Sequence, residues 1–76
     1  MKELTVRIST INDVKNFVST VMLFNYDIDL ISGRYAIDAK SIMGIFSIDL
    51  SKDLKLVAHS NDTAELEEAI AQYIVK

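Results

Sequence analysis

The sequence predicts an α+β open-faced sandwich, a four-stranded antiparallel sheet with helices on one face. Three observations carry that reading. Stretches with a period of two recur along the chain, stretches with a period near 3.6 lie between them, and a Ser-Gly pair marks a tight turn. Lys2 to Ile8 alternate, with Leu4, Val6 and Ile8 on one side and Glu3, Thr5 and Arg7 on the other, as a half-buried strand does. The period then changes. Over "INDVKNFVSTVMLF", Val14, Phe17, Val18, Val21 and Met22 recur at helical spacing, and the helix is expected to end before Asn25. Thr10 reads as its N-cap, with Asp13 completing a capping box.

Alternation returns in "YDIDLIS", with Tyr26, Ile28 and Leu30 on one face and Asp27 and Asp29 on the other. Ser32-Gly33 reads as a hairpin turn in which Gly33 supplies a positive φ, and "RYAID" is the partner strand. Further on, "LKLVAH" alternates with Leu54, Leu56 and Ala58 inward. The last segment reads as a long helix with a stripe of Leu66, Ala69, Ile70, Tyr73 and Ile74, capped by Asp62 with Glu65. Strands joined across helices in this order call for a split βαβ arrangement with right-handed crossovers.

The stretch "AKSIMGIFSIDL", residues 39–50, is ambiguous between strand and helix. As a strand it places Gly44 on the same face as Ile42 and Phe46 and wastes an inward position. As a short helix it is capped by Ser41, and Ile42, Ile45 and Phe46 cluster at helical spacing. The helix is the better reading. Two turns cannot bury Ile42, Met43, Ile45 and Phe46 together, because they span most of the circumference. Some of these side chains are therefore expected at the surface.

Composition narrows the function. At 76 residues the chain reads as one domain over 1–76, and with no cysteine it has no disulfides or thiolate metal ligands. A net charge of −3 argues against nucleic acid and anionic membrane as partners. No apolar run approaches the roughly 18 residues of a membrane span, and the opening residues do not read as a leader, so a cytoplasmic protein is expected. The only histidine, His59, reads as a lone surface residue, since no second histidine or cysteine accompanies it to hold a metal. Asp27 and Asp29 fall on a solvated strand face, and Glu65, Glu67 and Glu68 favour a helix dipole. No catalytic constellation emerges; no enzyme, cofactor or metal is expected.

"AKSIMGIFSIDL" also resembles the region around the regulatory serine of HPr, the histidine-containing phosphocarrier of the bacterial sugar phosphotransferase system, commonly K-S-I-M-G-V-M-S-L. The K-S-I-M-G core is identical, and the element order matches the family's β-α-β-β-α-β-α fold along the whole chain. The resemblance implies that Ser41 falls on the serine phosphorylated by HPr kinase. It places Lys40, Ile42, Met43 and Phe46 on the patch offered to phosphotransferase proteins or to a transcription regulator, with Ile45 turned into the core. The family's other hallmark, G-L-H-x-R-P-A at the start of the first helix, is replaced by "STINDV". Thr10 stands where the carrier histidine belongs, Asn12 where the arginine does and Asp13 where the proline does.

A phosphocarrier needs a neutral imidazole as nucleophile and cations or donors to hold the phosphate. Thr10 offers an unactivated hydroxyl, and Asp13 adds a repelling charge. The expectation is an HPr-like regulatory interaction module without phosphocarrier activity. The alternatives are a carrier that uses His59, and an HPr-derived subunit whose patch is an oligomer interface.

Overall fold

In the computed structural model, which describes residues Met1–Val75, the elements are β1 (Lys2–Val6), α1 (Ile11–Val21), β2 (Ile28–Ser32), β3 (Tyr35–Asp38), α2 (Ile42–Phe46), β4 (Leu54–Ala58) and α3 (Ala64–Ala69). A 3-10 turn over Ala71–Tyr73 follows α3. The domain limit expected at residue 76 lies outside the described residues.

The four strands form one sheet in the order β1-β4-β2-β3, with every neighbouring pair antiparallel. β1 and β2 are thus parallel with β4 between them, and α1 is the crossover. β3 and β4 are likewise parallel with β2 between them, and α2 crosses over. This is the split βαβ arrangement, used twice.

Alternation puts Val6, Leu54, Leu56, Ala58, Ile28 and Leu30 on one face, where all are buried. They join Val14, Phe17, Val18 and Val21 of α1, Ile45 of α2 and Leu66 of α3 in a single core. Phe17 meets Tyr73 edge to face at 5.6 Å between ring centroids. The other face carries Glu3, Thr5, Lys55 and Asp29, with a Lys55–Glu3 ion pair at 3.5 Å. Glu3 and Asp29 flank Val57 across the sheet, and Val57 is buried although it points away from the core.

Several expectations shift. Met22 is exposed rather than part of the α1 stripe: as C-cap it keeps helical backbone and bonds Val18 O, but it lies at the edge of the buried face of Val14, Phe17, Val18 and Val21. The hairpin loop is Gly33-Arg34, one residue later than expected, with Ser32 paired to Tyr35. Gly33 has φ +59° and no other described residue has positive φ, the sign pattern of a II′ hairpin turn.

The last helix is shorter than its apolar period. α3 stops at Ala69 and the chain tightens, because Ile74 bridges Val6 at the β1 edge. There Arg7 N–H donates to Tyr73 O and Val75 N–H to Thr5 O, each at 2.8 Å. Pairing an otherwise open edge overrides helical spacing, which leaves Ala69 exposed and Ile74 half-buried. The N-cap of α3 is Thr63, not Asp62. Its buried hydroxyl donates to Glu67 Oε2 at 2.8 Å instead of accepting a cap bond.

Candidate functional site

Two helix starts carry the residues singled out by sequence. At α1, the Thr10 Oγ1 accepts from the Asp13 N–H at 3.0 Å, and Asp13 Oδ2 accepts from the N–H groups of Thr10 and Ser9 at 3.3 and 3.4 Å. A carboxylate of the chain itself thus takes the N–H groups of Ser9 and Thr10 and sets a negative charge at the helix start, where an incoming anion would meet it. Arg7, the nearest cation in sequence, is engaged as well, paired with Asp53 at 2.8 Å.

At α2, the exposed Ser41 accepts from Gly44 N–H through Oγ at 3.3 Å. Gly44 is also where α2 closes on β3: a Cβ there would lie 3.3 Å from Ser41 Oγ and 3.7 Å from Ile37 Cβ. Within α2, Ile45 is buried, Ile42 is half-buried against the core, Met43 is 75% exposed and Phe46 is 41% exposed. The helix thus shows solvent one bare apolar side chain and one partly covered aromatic.

Lys40, placed on the partner patch by the resemblance, turns its ammonium inward. Its Nζ donates to Phe24 O at 2.7 Å and to Tyr26 O at 3.0 Å, while its own N–H donates to Asp38 Oδ1 at 2.9 Å. Two carbonyls in the loop leaving α1 draw the ammonium inward, and the aliphatic stem follows it. Lys40 thereby ties the exit of α1 to the entrance of α2. The Phe24 and Tyr26 rings lie 5.8 Å apart in the same loop. The Tyr26 phenol is held above its ordinary pKa, by burial first and then by Asp62, Glu65 and Glu67.

His59 lies away from Thr10. Lys2 pairs with Ala58 and Val6 with Leu54, so His59 follows the end of the sheet opposite to the one from which the chain enters α1. Its Nε2 sits 2.8 Å from Asp29 Oδ2, and its N–H donates to Asp27 O at 2.9 Å. Among the described residues no group of His, Cys, Asp and Glu is placed to hold a metal, and no helix is long and apolar enough to cross a membrane.

Sequence reasoning missed the apolar surface of α1 and its exit, where Ile11, Met22 and Leu23 are exposed, Leu23 at 80%. The signal was available for Leu23, which falls off the Val14-Phe17-Val18-Val21 stripe, but not for Met22, which follows Val18 by four residues.

An open-faced sandwich with split crossovers is also the fold of solved HPr proteins. HPr-C-His from Thermoanaerobacter tengcongensis is 32% identical over 95% of this chain and 89% of that one, with a TM-score of 0.80. The phosphocarrier protein HPr of Bacillus anthracis is 26% identical over 97% and 96%, TM-score 0.75. A Mycoplasma histidine-containing phosphocarrier protein, 19% identical over 93% and 89% with TM-score 0.76, shares the fold. No family model and no curated protein matches the sequence. The chain belongs to the HPr family.

Proposed function

We propose that this HPr-family protein is a non-enzymatic, cytoplasmic docking module of the sugar phosphotransferase system that does not carry phosphate on histidine. The observation that carries the reading is the Thr10–Asp13 capping box. It puts a carboxylate across the helix start where, by the family resemblance, a phosphohistidine would form. The docking surface is α2, where Met43 and Phe46 reach solvent beside the half-buried Ile42. Lys40 serves that surface by fixing α2 against α1 rather than by touching a partner. Partners are phosphotransferase proteins or a transcription regulator, and an HPr kinase acting on Ser41 is the switch.

Phosphorylation adds close to two negative charges next to Met43. With the Lys40 ammonium already committed, the phosphate alters the charge of the docking surface more than it orders the fold. The test measures binding to isolated phosphotransferase proteins for wild type, Met43→Asp and Ser41→Asp, with thermal melting in parallel. Met43→Asp should abolish binding at unchanged melting temperature, and Ser41→Asp should keep the fold and change affinity. Wild-type affinity in Met43→Asp overturns the docking reading; an unlabelled Ser41 under conditions where authentic HPr is phosphorylated removes the switch.

One observation favours a second reading, a carrier acting through His59. The Asp29 contact at 2.8 Å is the kind that sets the tautomer of a nucleophilic imidazole. The Asp29 carboxylate on β2 and that of Asp27 just before the strand would repel an incoming phosphate, which weighs against it.

A further inference from the structure

A cleft of about 620 Å³ opens between the β2–β3 hairpin and the loop after α2, within the roughly 300–1,000 Å³ typical of small-molecule sites. It exists because α2 is short. Gly44 packs α2 onto Ile37, but the helix ends at Phe46, so Tyr35 has no helix above it although it lies on the same sheet face as Ile37. Tyr35 is consequently 70% exposed. Tyr35 and Ile37 form one wall of the cleft and Ile48 the other, while Arg34 and Lys52 bring cations to it.

Neither cation has a carboxylate within salt-bridge distance among the described residues, whereas Arg7, Lys55 and His59 each have one. The acid that also lines the cleft, Asp49, is turned to its own loop. Its Oδ1 accepts from Ser51 N–H at 2.9 Å and from Ser51 Oγ–H at 2.6 Å. In a chain of net charge −3, Arg34 and Lys52 outnumber the one carboxylate of the lining, Asp49, which Ser51 and then Lys52 help to keep ionised, so the cleft beside Tyr35, Ile37 and Ile48 is locally of the opposite sign.

We propose that this cleft binds a small phosphate monoester carrying a flat apolar body, the phosphate held by Arg34 and Lys52 and the body laid against Tyr35 and Ile48. A dianion matches two cations, and Arg34 can engage it through two parallel N–H groups. Burying one face of the ligand's ring covers Tyr35, an apolar gain that a bare phosphate lacks. Both cations are exposed, so each contact with the phosphate changes affinity by only roughly a few-fold and binding is weak. The site is separate from the docking surface proposed above and does not depend on it.

The experiment is an amide chemical-shift titration of the full chain with phenyl phosphate, with inorganic phosphate and benzyl alcohol as controls. Phenyl phosphate should produce saturable shifts in residues 33–37 and 48–52, stronger than either control. Arg34→Gln/Lys52→Gln should weaken it by roughly tenfold, the sum of two such contacts, and Tyr35→Ala should weaken it while leaving melting unchanged. Shifts centred elsewhere, no saturable shift at millimolar ligand, inorganic phosphate binding as well as phenyl phosphate, or unchanged affinity in the double variant would each overturn the proposal.

Discussion

Lys40→Met isolates what the lysine does in this fold. Methionine keeps most of the aliphatic stem and removes only the ammonium, so the change deletes the bonds to Phe24 O and Tyr26 O at 2.7 and 3.0 Å. A hydrogen bond to a charged group contributes about 1.5–3 kcal/mol when well buried. Lys40 is half-buried, so water can replace part of what is lost and roughly half of that value applies to each bond. The expected cost is about 2 kcal/mol. For a domain of this size that lowers the melting temperature by about 8–16 °C. Thermal melting by circular dichroism and urea unfolding measure it, with the urea midpoint falling at unchanged slope. Lys40→Arg should recover only part of the loss, because a planar guanidinium cannot place a point charge between two carbonyls in the same way. A Lys40→Met protein melting within about 2 °C of wild type would refute the reasoning and return Lys40 to the surface as a partner contact.

Three further outcomes follow from the same structure. Ile45→Ala should cost about 2–5 kcal/mol, since Ile45 is fully buried, and Met43→Ala on the same helix less than about 0.5; equal effects in urea unfolding would mean that α2 is not oriented as described. Gly33→Ala should cost about 1–2 kcal/mol through its positive φ alone, as nothing lies within 4 Å of a Cβ there, and Gly33→Asn should cost less. The Tyr26 and Tyr73 phenols are both held above the ordinary value, chiefly by burial, so the native state keeps its protons longer than the unfolded chain. Their contribution to stability is therefore intact below pH of about 10 and is lost as pH rises through the raised values. The urea midpoint should fall in that window, and less so in Tyr26→Phe/Tyr73→Phe; an identical alkaline fall in that variant would contradict the assignment.

Most of the fold was legible because local signals agreed with one another. Period two in β1 and β4, the Thr10–Asp13 box and the Gly33 turn each have one physical solution. Where tertiary pairing decides, the sequence misled. The Leu66-Ala69-Ile70-Tyr73-Ile74 stripe is a sound helical pattern, yet the open edge of β1 claims Ile74 and shortens α3. The α2 reading succeeded because Gly44 made no sense in a strand. Lys40 was the least legible site residue. A lysine beside a capping serine reads as part of the exposed patch, and nothing local indicates that two carbonyls 14 and 16 residues earlier will hold it. The hairpin cleft was invisible for the same reason, since Tyr35 and Ile48 meet only through the topology.

The measurement that bears most directly on the account is incubation with the first enzyme of the phosphotransferase system and labelled phosphoenolpyruvate, beside an authentic HPr. The account predicts label on HPr and none on this chain, and little gain from Thr10→His alone, because the Asp13 carboxylate still occupies the helix start. An acid-labile phosphoryl group appearing on wild-type protein, and lost in His59→Ala, would contradict it.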